Sequence, residues 1–394
     1  MIKNHVLWVF LFVGTVICAQ SKPNVIIILA DDQGWGDLSC NGNSNLKTPN
    51  IDQLSLEGAT FSNFYVSAVC SPTRAELLTG RYHARTGVYS TSEGGERFNS
   101  DEVTLADILK KDGYATGVFG KWHNGMQAPY HPNSRGFDEF YGFASGHWGN
   151  YFSPMLEHNG EMVQGSGYLP DDLTDHAISF LNDHKDRSFF LYLPFNTPHS
   201  PMQVPDDFWN SQVQKPLEMY NMKREEEDTL FTKAALAMVE NIDYNVGRLL
   251  SEVEKLDLST NTIIIYLSDN GPNGVRWNGG MKGRKGSTDE GGVKSPLFIK
   301  WEGQIESGEV YSSITSVVDI LPTILTLTGS NHISSKTLDG IDMFKPQEDR
   351  IIYSNWKKDC SLRSQRFRLD TDNRLFEVEN DPGQENNVSK LFPS

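Results

Sequence analysis

Two stretches of this chain are built alike, and together they constrain the fold more than any other feature. Residues 24–32 read Asn-Val-Ile-Ile-Ile-Leu-Ala-Asp-Asp, and residues 262–270 read Thr-Ile-Ile-Ile-Tyr-Leu-Ser-Asp-Asn. A continuous run rich in β-branched residues offers no polar side to water, so each predicts a strand buried on both faces. Shorter runs at 115–122, 189–195 and 295–301 repeat the theme. Between them lie helical patterns at 103–111, 225–256 and 316–327. In the longest, Ala235, Met238, Val239, Ile242, Val246, Leu249 and Val253 make one apolar stripe. Strands alternating with helices predict an α/β fold, a large, mostly parallel or mixed sheet sandwiched by helices. Ligands of such sheets sit beyond the carboxyl ends of the strands, where Asp31, Asp32, Asp269 and Asn270 fall.

Near residue 346 the pattern changes to short strands at 350–354, 362–369 and 375–378, after a turn at Asp339-Gly340. This predicts a small C-terminal α+β subdomain on an antiparallel sheet over 346–394, following a main domain over 20–345. No internal repeat or low-complexity segment interrupts either.

The start of the chain is different in kind. Lys3 precedes an apolar run at 6–17, and Ile17-Cys18-Ala19 offers a small-residue cleavage site before Gln20. Residues 1–19 therefore read as a secretory signal peptide, and the protein as exported, periplasmic or secreted. The run is too short to cross a hydrocarbon core, which needs ~20 residues, so no stable membrane span is expected.

Export gives the cysteines meaning, because the segment beyond residue 19 retains Cys40, Cys70 and Cys360. An odd count in an exported protein signals a reactive thiol, an intermolecular partner or special chemistry. Whether Cys40 and Cys360 pair is open at this point. The net charge of −16 argues against a nucleic-acid partner and against long-range attraction of an anionic substrate. Any anion must be handled by a local group of cations and backbone donors.

The two acidic strand ends offer oxygen ligands without thiolate or imidazole, which suits a hard divalent cation, Ca²⁺ or Mg²⁺, better than zinc. Each pair alone equally suits a turn or a helix cap. Two pairs on similar strands favour the metal. The odd cysteine sits in Cys70-Ser71-Pro72-Thr73-Arg74, followed by Leu78-Thr79-Gly80-Arg81. Pro72 can open a helix there and set Cys70 at its positive end.

This pattern resembles the sulfatases, in which Cys-x-Pro-x-Arg with Leu-Thr-Gly-Arg is the signal for oxidising the cysteine to formylglycine (3-oxoalanine). The resemblance runs on through Thr48-Pro49-Asn50-Ile51-Asp52, Gly120-Lys121-Trp122-His123, Asn196-Thr197-Pro198-His199, Ser268-Asp269-Asn270-Gly271 and Gly283-Arg284-Lys285-Gly286 to the tail at Leu375-Phe376-Glu377-Val378. It implies the alkaline phosphatase-like fold, one Ca²⁺ held by Asp31, Asp32, Asp269 and Asn270 with residue 70, and a formylglycine nucleophile at Cys70. Arg74 and Lys121 would hold that nucleophile, with His123, His199 and Lys285 completing the site. A formylglycine-generating maturation enzyme is then a required partner.

A hydrated aldehyde carries two hydroxyls, one to attack sulfur and one whose proton loss expels sulfate. His199 and Lys285 would protonate the leaving oxygen and neutralise charge, and His123 would take the later proton. The implied substrate is a sulfated carbohydrate, with algal polysaccharides such as ulvan or carrageenan as the suggested source. Two rivals remain. One is a phosphodiester or phosphonate monoester hydrolase of the same superfamily, and the other a catalytically silent sulfated-glycan binding protein in which Cys70 stays a thiol.

Outside these motifs, His83, His147, Trp148, His158, Arg276 and Trp277 fall in predicted loops, where they serve either a sugar subsite or ordinary packing. Asn124 and Thr73 depart from the commonest residues at their positions. Family members usually continue with a helix, so the stop at Ser394 reads as trimming or as continuation into another module.

Overall fold

The computed structural model describes residues 22–392 except Ile333 and Pro346. The expected signal peptide lies outside the described residues, and among the described residues no helix is long and apolar enough to cross a membrane.

Asn24–Asp31 is buried along its whole length and forms the middle of a ten-stranded sheet. It pairs in parallel with Phe189–Pro198 on one side and Thr262–Ser268 on the other. Ala115–Lys121 and Glu139–Phe143 extend the parallel block beyond Phe189–Pro198. The edges are mixed: Leu297–Lys300 runs antiparallel to Thr262–Ser268, and Met155–His158 antiparallel to Glu139–Phe143.

The period-two alternation of a strand divides the core into two layers. Val25, Ile27 and Leu29 enter one hydrophobic cluster, with Ala75, Leu105 and Ile320 from the helices Cys70–Thr79, Leu105–Lys111 and Ile320–Thr328. Ile26, Ile28 and Ala30 enter the other, with Ile51, Leu173, Ile242 and Val246 from Pro49–Glu57, Leu169–His184 and Thr229–Lys255. The long helix starts at Thr229, later than its sequence pattern, because Asp228 caps it by accepting from the Leu230 and Phe231 amides. All seven residues of its predicted stripe are buried.

The small sheet is a four-stranded antiparallel meander of Ile352–Trp356, Asp359–Arg363, Phe367–Asp370 and Leu375–Glu377. The single strand expected over 362–369 is two strands joined at Ser364, whose amide donates to the Phe367 carbonyl at 2.9 Å. No helix is found among the described residues after Thr328. Cys40 and Cys360 are both exposed free thiols, so the pairing left open by the sequence is not made.

Candidate active site

Register brings the acidic pairs together. Asn24–Asp31 and Thr262–Ser268 run in step from Asn24 opposite Thr262 to Ala30 opposite Ser268, so Asp31-Asp32 and Asp269-Asn270 leave the sheet side by side. A bulge between Leu29 and Asp31 sets Asp31 opposite Pro198, which delivers His199 to the same edge. Lys121 ends the next strand, where a Cβ at Gly120 would collide with the Pro194 carbonyl. Four neighbouring strands thus end in the residues that carry charge.

Asp32 and His123 take left-handed backbone, with φ of 67° and 64°, an uncommon state for residues with side chains. For Asp32 the turn aims its amide at Asp269 Oδ1, 3.1 Å away. His123 packs its ring where Gly146 has no side chain.

Cys70 begins the helix Cys70–Thr79, every residue of which is buried. Pro72 stands third in that helix, within the first turn, where a missing N–H leaves no bond unmade. The Thr73 hydroxyl accepts from the Ser67 amide at 2.9 Å, and Asn124 donates to the Ser71 and Glu96 carbonyls at 3.2 and 3.1 Å. Both departures from the common pattern therefore fix the approach to Cys70.

The charges interlock. Arg74, fully buried, donates from Nε and Nη2 to Asp269 Oδ2 at 3.2 and 2.9 Å, and from Nη1 to the Lys121 carbonyl at 2.7 Å. Lys121 Nζ meets Asp31 Oδ2 at 2.5 Å. Lys285 Nζ lies 2.6 and 2.8 Å from the two oxygens of Asp32, and Asn270 donates to Asp32 at 2.9 Å. His199 Nδ1 donates to the Ser200 carbonyl at 2.6 Å, leaving Nε2 3.7 Å from Asp32. His123 Nε2 donates to the Thr91 carbonyl at 2.8 Å, and its buried Nδ1 has no partner.

Burial opposes every charge in this group. At Asp31 it is outweighed by Lys121, then His199 and Arg74, which hold the carboxyl well below its usual range. At Asp269 burial and the neighbouring Asp31 win, and the carboxyl is pushed up. Burial also acts against Lys285, but Asp32 outweighs it and raises the ammonium above its ordinary value. Burial, then Lys121, pushes His123 down to about 3. His199 is lowered for the same first reason.

Two oxygens test whether a cation belongs here. Asp31 Oδ1 and Asn270 Oδ1 are buried and accept no hydrogen bond, an arrangement that is costly unless something else completes it. Donor atoms of Asp31, Cys70 and Asp269 lie within 4.8 Å of one another, as do those of Asp31, Asp32 and His199. An oxygen-rich set with unfilled lone pairs fits a hard divalent cation.

A cleft of about 450 Å³ opens over this group, bordered by Cys70, His123, His199 and Lys285. Thr91, Glu93, Glu96 and Gly146 also border it and went unnoticed in the sequence. Thr91 acts through a carbonyl that every residue possesses, so no side-chain signal could have found it. Of the six loop residues considered for a sugar subsite, His147 borders the cleft, its ring 5.6 Å from that of His199. The others pack or pair elsewhere. His83 bonds the Val88 carbonyl, Arg276 the Asp37 carboxylate, and Trp148 stacks on Phe143. His158 faces Tyr141 and Glu139, and Trp277 borders Gly36 and Gly42.

The small sheet grips the segment that carries Lys285. Buried Arg368 donates to Glu290 Oε2 at 3.2 and 3.0 Å and to the Thr288 carbonyl, which Ser361 also reaches at 3.0 Å. Tyr65 donates to Glu290 Oε1 at 2.6 Å, and Gln384 accepts from the Glu290 amide at 2.9 Å. At the other end of the segment, the Lys282 amide donates to the Pro382 carbonyl at 2.9 Å.

Known proteins carry the same framework. N-acetylgalactosamine-6-sulfatase of Mus musculus is 32% identical over 82% of this chain, and arylsulfatase A of Bos taurus 34% identical over 83%. The chain spans 66% and 68% of those two proteins. Among solved structures, Ps i-CgsB in complex with k-i-k-neocarrahexaose superposes with a TM-score of 0.84 at 32% identity, covering 94% of this chain and 89% of that one. The description Sulfatase matches residues 23–330, a span that holds both acidic strand ends, Cys70 and all three site lysine and arginine positions. Shared sequence over that length, on the same fold, means that this chain belongs to the sulfatase family.

Proposed function

We propose that the protein hydrolyses sulfate esters of carbohydrates, with Cys70 converted to formylglycine and Ca²⁺ held by Asp31, Asp32, Asp269 and Asn270 beside residue 70. One observation carries this reading. A cysteine at the start of a buried helix borders an open cleft, against acidic strand ends that retain two unpartnered oxygens and are framed by Arg74, Lys121 and Lys285.

The cation, when bound, supplies fixed positive charge for the sulfate oxygens. The hydrated aldehyde supplies two hydroxyls on one carbon, one to attack sulfur and one to expel sulfate afterwards. The protein's own groups do the rest. Arg74 cannot drift, being clamped to Asp269 and the Lys121 carbonyl, so its charge is preorganised beside residue 70. Lys285 stays an ammonium and offsets sulfate charge. His199, with Nδ1 donating to Ser200, turns Nε2 to the cleft, and its protonated form, opposed by burial but favoured by Asp31 and Asp32, gives the Nε2 proton to the leaving oxygen. His123, neutral and with a free Nδ1, accepts the later proton.

Residues 1–19 act in this reading as a signal peptide for export, and a formylglycine-generating enzyme matures the chain. Curated relatives named for N-acetylgalactosamine 6-sulfate, and a solved neighbour bound to neocarrahexaose, support a sulfated sugar as substrate. Sulfated algal polysaccharides, carrageenan and then ulvan, are the first to try.

The test uses protein matured in its own host. Mass analysis of the peptide holding residue 70 should show the aldehyde. Sulfate release should be measured beside phosphodiester and phosphonate cleavage. A plain thiol with no sulfate released, or faster cleavage of the phosphorus esters, overturns the proposal.

A further inference from the structure

The chemistry above leaves a second concavity unused. It measures about 540 Å³ and is bordered by Met202, Trp209, Leu230, Phe231 and Phe152. A hollow of about 480 Å³ adjoins both this trough and the catalytic cleft, sharing Phe231 with the trough and Lys285 with the cleft.

Part of the walls continues catalytic segments, through Met202 in the trough and through Asn273 and Arg284 in the hollow. Met202 follows His199 by three residues, Asn273 follows Asn270 by three, and Arg284 precedes Lys285. Three residues of extended chain reach at most about 10 Å, so the trough begins close to the reacting centre.

Its surface has a mixed character that folding does not require. Leu230 is 62% and Phe152 44% exposed, and Trp209 and Phe231 are half-buried. Arg284 is exposed, and its guanidinium has no partner among the described residues. Glu226 and Asp228 border the same hollow as Arg284. A pyranose ring presents C–H faces that pack flat on aromatic rings, a rim of hydroxyls that seek carboxylates, and, in sulfated or uronic polymers, anions that seek arginine.

We propose that this trough seats the sugar units adjoining the one at residue 70, with Trp209 and Phe231 as the stacking surface and Arg284 bound to an anionic substituent of a neighbouring unit. The substrate is then a chain rather than a single sugar. The proposal rests on the sulfate-ester reading only for what lies at residue 70.

Calorimetry on the Cys70→Ala protein, with neocarrahexaose and its disaccharide unit as probes, separates the two. The hexasaccharide should bind more tightly than the disaccharide. Trp209→Ala should weaken the hexasaccharide about tenfold and leave the disaccharide within about twofold, the range expected for loss of one aromatic anchor. Arg284→Gln, at an exposed position, should weaken it less and remove part of the salt dependence. Equal affinity for the two probes, equal losses for both, or no loss overturns the trough. Trp209-dependent binding by a matured wild type that releases no sulfate would sink the hydrolase reading and keep the trough. Sulfate release at equal kcat/KM from both probes would do the reverse.

Discussion

The cluster around Asp31 and the cluster around Glu290 use the same materials and reach opposite states. In both the carboxylates are buried and set against arginine, and the segment from Lys285 to Glu290 contributes to each. Around Glu290 every side-chain oxygen and guanidinium nitrogen of Glu290 and Arg368 has a partner. Around Asp31 the cations are placed as carefully, yet Asp31 Oδ1 and Asn270 Oδ1 accept nothing. Buried charge by itself is therefore a poor sign of chemistry, since a satisfied cluster holds parts together as well as a reactive one does. The informative difference is what each leaves unfinished.

That contrast can be broken or sharpened by experiment. The largest effect belongs to Cys70→Ala, which should cut sulfate release by about 10⁴-fold or more while the thermal midpoint stays near wild type, because a single sulfur atom at the edge of the cleft is removed. Retained turnover would place the reaction elsewhere. Next comes the satisfied cluster. Arg368→Met removes bonds to Glu290 and to the Thr288 carbonyl, and should cost about 3 kcal/mol in a denaturant titration, with or without calcium. It should also slow turnover, because Lys285 stands three residues before Thr288. Arg368→Lys should restore the charge but not the fork, and so recover only part of either loss.

The unfinished cluster should respond to cation in a way the other does not. Calcium at about 100 times its dissociation constant should stabilise the wild type by about 2.7 kcal/mol over protein stripped with chelator. Asp31→Asn should abolish that response and Arg368→Met should keep it. A wild type indifferent to divalent cations would remove the distinction drawn between the two clusters. The smallest effect is reserved for Asn124→Leu, which breaks the ties to Ser71 and Glu96 and should cost about 1 kcal/mol by thermal melting.

Much of this was legible in the chain. The buried strands follow from β-branched runs, and the stripe on Thr229–Lys255 from a period of 3.6 residues. The break of 362–369 into two strands was not, because Ser364 is the lone turn-favouring residue there, with no Gly, Pro, Asn or Asp beside it. The antiparallel course of Leu297–Lys300 was equally hidden, since a buried run reads alike in either direction. The charged residues of the Cys70 site were found through their motifs. Thr91, Glu96 and Gly146 were not, having no motif to carry them. The Glu290 cluster gave no warning at all, because Tyr65, Glu290 and Arg368 occur in three unrelated stretches.

By itself the sequence determined which segments must be buried, which of them end in acidic pairs, and that Cys70 lies in a pattern resembling the sulfatases. These are local matters, decided by side-chain shape and by neighbours along the chain. Only the tertiary structure decided that two strand ends emerge in step, that Lys121 reaches Asp31 across 90 positions and Asn270 reaches Asp32 across 238, and which oxygens stay unmet. The satisfaction of a buried polar atom depends on groups brought to it by packing from far along the chain, and no local pattern records whether they arrive.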